Sequence, residues 1–96
     1  MKAYCLFQEE IIDQAGFDAY RQQVMPTLAP FGGRFIVRGG HFTKVEGDMP
    51  YSRVVIVEFA SREQAEGWYH SPAYQKLVPQ RLKATRGNLI IVDGAE

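Results

Sequence analysis

Apolar residues in this 96-residue chain follow two spacings that alternate along it, a strand spacing and a helix spacing. Residues 2 to 8 (Lys2-Ala3-Tyr4-Cys5-Leu6-Phe7-Gln8) are aromatic and apolar in type and short enough for a strand. Asp13 is placed to cap a helix, because Phe17, Tyr20, Val24, Leu28 and Phe31 recur at three- and four-residue steps and so share one face. Pro26 lies inside that pattern and predicts a kink or an early stop. Gly32-Gly33 then ends the helical stretch.

A second strand follows over Arg34 to Arg38, and Gly39-Gly40 predicts a bulge or sharp bend after it. Phe42 to Glu46 is a candidate continuation of this strand. Gly47-Asp48-Met49-Pro50 is turn chemistry, and Arg53 to Phe59, centred on Val54-Val55-Ile56-Val57, is the clearest strand in the chain. Ser61 with Gln64 three residues on is a capping box that opens a helix grouping Ala65, Trp68 and Tyr69. Ser71-Pro72 restarts a second piece carrying Tyr74, Leu77 and Val78, and Pro79 begins a third that reaches Leu82. Arg86-Gly87-Asn88 reads as a turn, and Leu89 to Asp93 as the last strand.

The order is β-α-β-β-α-β, the split βαβ arrangement, an α+β fold with a four-stranded antiparallel sheet and both helical connections on one face. A sheet face open to water should alternate apolar and polar residues, and these strands do not. Ala3, Cys5 and Phe7 oppose Tyr4 and Leu6; Val55, Val57 and Phe59 oppose Val54 and Ile56; Leu89 and Ile91 oppose Ile90 and Val92. The chain has helix enough to cover one face only. A second copy's sheet is the economical cover for the other, so a homodimer is expected. The chain's length points to one domain spanning 1–96, small enough that a partner subunit would add useful burial.

Composition narrows the partners. Eleven Lys plus Arg balance eleven Asp plus Glu without a basic stripe, which argues against nucleic acid. The first ten residues reach two acids before any long apolar run, so no signal peptide or membrane span is expected there. A cytoplasmic protein is expected, and the single cysteine, Cys5, in an apolar run, fits a small buried hydrophobe in a reducing compartment.

With these residues in view, the chain resembles the family labelled domain of unknown function 1330, within the dimeric α+β barrel superfamily. The resemblance is most specific at Gly32-Gly33-Arg34-Phe35-Ile36-Val37-Arg38-Gly39-Gly40. It extends through Glu46-Gly47-Asp48, Glu58-Phe59 with Ser61, Trp68-Tyr69 with Ser71-Pro72 and Tyr74, and Arg81. Ala60 stands where a proline is common and Ala73 where an acid is common, so no acidic role carries over beside Tyr74. The resemblance implies two ferredoxin-like protomers whose sheets face each other. It implies no activity; related families include cofactor-free monooxygenases, muconolactone isomerases and haem-dependent enzymes, and a shared fold does not choose among chemistries.

The candidate chemistry starts from Arg34 and Arg38, which with Ile36 are expected to share one face of the second strand, since side chains alternate with period two. Arginine on an apolar sheet calls for a carboxylate or an anionic ligand to fill its fork of donors. Glu58 on the neighbouring strand comes opposite Arg34 or Arg38 according to a register that the Gly39-Gly40 bend leaves open, and is the leading partner expected for Arg38. A structural ion pair and recognition of a small carboxylate both fit. His41, aimed by the glycine pair, and Glu58 are the candidate general acid or base, and Arg34, Arg38, Trp68 and Tyr74 the candidate substrate-binding set. His41 and His70 lie 29 positions apart with no companion ligand, so no metal and no cofactor is expected, haem being open only to those two as axial ligands. The glycine pairs lack phosphate-loop spacing, and no nucleophile motif occurs. The expected function is that of a small homodimeric protein, a cofactor-independent enzyme or a binder of a small organic acid or aromatic metabolite. The alternative is a non-catalytic dimeric module.

Overall fold

A computed structural model describes all 96 residues. Four strands, β1 (Ala3–Ile11), β2 (Arg34–Arg38), β3 (Arg53–Phe59) and β4 (Thr85–Asp93), form one antiparallel sheet in the order β2-β3-β1-β4. The connection from β1 to β2 carries α1 (Gln14–Arg21), α2 (Val24–Leu28) and a short 3-10 turn; the connection from β3 to β4 carries α3 (Arg62–His70), α4 (Pro72–Gln75) and α5 (Val78–Ala84). The order and the pairing are those of a ferredoxin-like βαββαβ fold.

Local chemistry sets most boundaries. Asp13 accepts from the Gly16 backbone N–H at 3.1 Å and Ser61 from that of Gln64 at 3.2 Å, each filling a donor that the first helical turn leaves open. The first helix breaks at Gln22-Gln23 rather than at Pro26. Proline at 26 has no N–H to offer the carbonyl four residues back, so the chain restarts with Pro26 in the first turn of α2, where no such bond is required. Ser71 ends α3 and begins α4, its Oγ donating to the Trp68 carbonyl at 2.7 Å and accepting from the Tyr74 N–H at 3.3 Å.

Two expectations need correction. The segment 42–46 is not a strand, since β2 leaves the sheet once the Gly39 N–H has bonded the Val54 carbonyl at 2.8 Å. Residues 86–88 belong to β4, not to a turn; α5 delivers the chain straight into the ladder at Thr85, and Gly87 lies so close to β1 that a Cβ there would collide with the Gln8 carbonyl. The chain does bend at Gly39, as the glycine pair leads one to expect, and β2 carries a further irregularity ahead of it, between Phe35 and Val37.

Core packing follows the parity of the strands. Ala3, Cys5, Phe7, Val55, Val57 and Phe59 are buried under the helices, with Phe17, Leu28, Trp68 and Tyr74 above them. Burial pushes the Cys5 thiol up to about 12, consistent with an inert core residue. The indole N–H of Trp68 donates to Thr27 Oγ1 at 2.9 Å within this core. Thr27→Val keeps the shape but orphans that donor, and is expected to cost about 1–3 kcal/mol in urea unfolding. A change within error would show that the indole finds another acceptor.

The opposite sheet face has no cover. Ile90, Ile36, Val92 and Val37 are 53%, 43%, 41% and 36% exposed, and Tyr4, Leu6, Val54 and Ile56 lie among them half-buried. The Cα extents of 32 × 31 × 16 Å describe a slab one sheet and one helical layer thick.

Candidate functional site

The one-residue irregularity in β2 decides which arginine faces what. Arg34 pairs with Glu58 and Phe35 with Val57, but the next registered pairs are Val37 with Ile56 and Arg38 with Val55. Ile36 is the extra residue, so the parity of the strand inverts across it. Arg34 stays on the open face; Arg38 turns to the helix face. There Arg34 Nε donates to Glu58 Oε1 at 3.2 Å, and Lys2 Nζ lies 3.6 Å from the same oxygen. Glu58 is therefore the partner of Arg34, and the expected pairing with Arg38 does not form because the bulge puts the two side chains on opposite sides of the sheet.

Arg38 instead lies over the Phe35 ring at 4.0 Å and reaches Met25 Sδ at 3.9 Å, with no carboxylate partner. It stands at the rim of a cavity of about 60 Å³ between the sheet and α1–α2. Exposed Arg21, Met25 and Arg38 edge this cavity, and buried Phe7, Phe17, Tyr20, Val24, Val57 and Trp68 form most of its wall. The lining is mainly apolar and aromatic with a few charged groups, the usual make-up of a small-molecule site.

Two further lining residues are charged, one buried and one half-buried. Glu9, on the apolar parity of β1 after Ala3, Cys5 and Phe7, is 5% exposed, and Arg53 on β3 donates from Nε to its Oε2 at 3.1 Å. Burial pushes the Glu9 carboxyl above its ordinary value, while the nearby Arg53 and Arg81 charges pull it back. Behind this pair, Arg81 is buried with its Nε unpartnered and its guanidinium 5.5 Å from the Phe7 ring centroid. The Tyr20 and Tyr74 hydroxyls share a 2.7 Å hydrogen bond, and burial pushes both phenols up, so both stay neutral. Gly39, at φ +70°, packs so tightly on Arg53 that any Cβ there would displace the guanidinium.

The structure thus gathers Arg38 and Trp68 at one cavity. Tyr74 stacks on Trp68 at a 4.0 Å centroid distance but stands one shell back, with Tyr20 in front of it. Arg34 and Glu58 lie on the other face, and His41 is exposed on the 39–52 connection, outside the lining. Exposed His70 sets its ring edge-on to Tyr69. Glu9 escaped the sequence reading because β1 is expected there to end at Gln8, while Tyr20 and Arg53 are placed on their helix and strand without a role in the site. An acid continuing the 3-5-7 parity and an arginine opening the 55-57-59 parity were the signals available.

The chain matches the family described as domain of unknown function, DUF1330, over residues 2–95. It belongs to that family. Among curated proteins none matches significantly. Solved structures give the same fold. A protein of unknown function from Rhodopseudomonas palustris aligns with a TM-score of 0.77 at 17% identity, over 99% of this chain and 83% of that one. A dimeric ferredoxin-like protein of unknown function from Jannaschia aligns at 0.72 and 13% identity, over 98% and 100%. SnoaB, a cofactor-independent oxygenase from Streptomyces nogalater, aligns at 0.66 and 10% identity, over 99% and 94%. At these identities such likeness speaks for the fold alone, and DUF1330 membership brings no activity with it.

Proposed function

We propose that this DUF1330 chain is a single-domain, cytoplasmic homodimer that takes a small organic acid or aromatic metabolite into the cavity under α1–α2, acting on it without a cofactor or simply binding it. The observation that carries this reading is Arg38: a guanidinium at the rim of an apolar, aromatic cavity, stacked on Phe35 and lacking any carboxylate partner. Its fork of donors suits a carboxylate whose apolar body points inward toward Trp68. The open sheet face supports the dimer, as does the dimeric state given for the Jannaschia relative. The SnoaB fold supports only the idea that such a scaffold can host chemistry without a cofactor. No helix is long and apolar enough to cross a membrane.

Calorimetry against a panel of small aromatic and aliphatic acids tests the site. At least one should bind, and Arg38→Lys, which keeps the charge but loses the planar fork, should weaken it roughly tenfold or more, as expected for losing a charge-assisted hydrogen bond. Absence of binding across the panel would remove the pocket reading.

The alternative, a non-catalytic dimeric module, is favoured by one observation. Arg34 and Lys2 already share the Glu58 carboxylate on the face a second copy would cover. For Arg34 this supports a structural role, in place of the substrate contact expected from sequence.

A further inference from the structure

The cavity holds a single carboxylate, Glu9, set deep on the sheet wall while the arginines occupy the rim and the flanks. One of its oxygens, Oε2, is fixed by Arg53 Nε at 3.1 Å. The other, Oε1, has no protein donor, and it is not among the buried atoms left without a partner, so it borders the open space. A carboxylate clamped by one oxygen and bare at the other is an aimed proton acceptor.

Charge around it is one-sided. From β3 comes Arg53, from α5 Arg81, from β2 Arg38 and from α1 Arg21, the last drawn to Asp18 at the rim; Tyr20 faces it as a neutral phenol, with Tyr74 behind. No second acid lines the cavity. Arg53 is matched by Glu9, which leaves Arg38 and Arg81 in excess. A site with surplus positive charge and one buried base suits a ligand that arrives as a carboxylate and becomes more negative as it reacts.

We infer, resting on the pocket reading above, that Glu9 is a catalytic base of this cavity and that its substrates are 2-oxo carboxylic acids or acids of like chemistry, with a C–H beside a carbonyl. Arg38 holds the carboxylate. Glu9 Oε1 takes the proton from the carbon beside the ketone, the C–H electron pair becomes a C=C bond, and the carbonyl π pair moves onto oxygen as an enolate. Returning that proton to the enolate oxygen gives the enol, and returning it to carbon restores the ketone; either step regenerates the carboxylate. The reaction is a tautomerisation, so it needs no oxidant, reductant or co-substrate. Burial in the apolar wall makes Glu9 more basic than a free carboxylate, while the surrounding guanidiniums favour the enolate charge.

Hydrogen–deuterium exchange provides the test. Pyruvate, 2-oxobutyrate and phenylpyruvate are incubated with the protein in D2O and followed by proton NMR at the carbon beside the ketone, with the buffer rate subtracted. Wild type should accelerate exchange of at least one. Glu9→Gln, which keeps an acceptor for Arg53, should lose about a hundredfold or more of that rate, in line with general-base contributions of about 10²–10⁴, while calorimetric binding of the same acid changes less than about threefold. Glu9→Asp withdraws the carboxylate by one methylene and should lose the rate at least tenfold; it serves if the glutamine variant does not fold. The wild-type rate should fall as pH drops through the raised Glu9 value. Binding without accelerated exchange, or exchange that survives in both variants, overturns the assignment of Glu9 and leaves the pocket reading standing. No binding of any panel acid overturns both.

Discussion

Arg53→Met is expected to destabilise the protein by about 3–5 kcal/mol near neutral pH, because it strands the Glu9 carboxylate in an apolar wall. The pair is enclosed, its side chains 19% and 6% exposed, so the solvent screening that makes surface pairs nearly neutral does not apply. The loss should depend on pH. Glu9 already has a native value above its ordinary 4.5, so its protonated form favours folding; the associated stability is complete below that value and disappears as pH rises through the native one. Without Arg53 the native value climbs further, and the gap between variant and wild type should widen from about pH 4 to neutrality. Urea unfolding at fixed protein concentration across that range measures it. A constant gap, or one below about 1 kcal/mol, would mean that Glu9 is relieved by water or by Arg81.

A single acid on the open sheet face should abolish self-association. Ile56 lies at the centre of that face, opposite Leu6 on one side and Val37 on the other. In a two-fold dimer each substitution appears twice, so Ile56→Glu places two unpaired carboxylates in one apolar interface, each costing several kcal/mol to desolvate. Light scattering at micromolar concentration should give twice the chain mass for wild type and the chain mass for the variant. Leu82→Glu, on the helical side where Leu82 is 62% exposed, should leave the dimer intact. A wild type that is folded and monomeric, or a variant that remains dimeric, would refute the sheet-to-sheet arrangement.

The sequence carried the fold well because its signals were redundant. Val54-Val55-Ile56-Val57 could only be a strand, Ser61 and Gln64 marked a helix start, and apolar residues on both strand parities marked both sheet faces as apolar before any topology was known. The site was less legible for a physical reason. Which face an arginine serves depends on register, and register in β2 is set by tertiary pairing with β3, not by the spacing of Arg34 and Arg38. The bend at Gly39-Gly40 was legible and is there, but the bulge at Ile36 that inverts the parity carries no glycine to mark it. Glu9 was hidden differently: polar residues at a strand end look like the approach to a turn, and only the extension of β1 to Ile11 shows that this acid points into the core.

The bulge at Ile36 also bears on how roles are transferred between relatives. The run from Arg34 to Arg38 reads as one continuous string, yet its two ends serve different compartments of the molecule, the open sheet face and the cavity. Removing Ile36 would leave plain alternation with Arg38 still opposite Val55 on the cavity side, whereas the same four-residue spacing without the bulge would carry the second guanidinium to the open face beside Glu58 and empty the rim of its anion contact. A relative matched arginine for arginine without a gap can therefore differ in what the second one does, and one with a gap of a single position can keep it. What transfers the role is the register against β3, not the arginine's name.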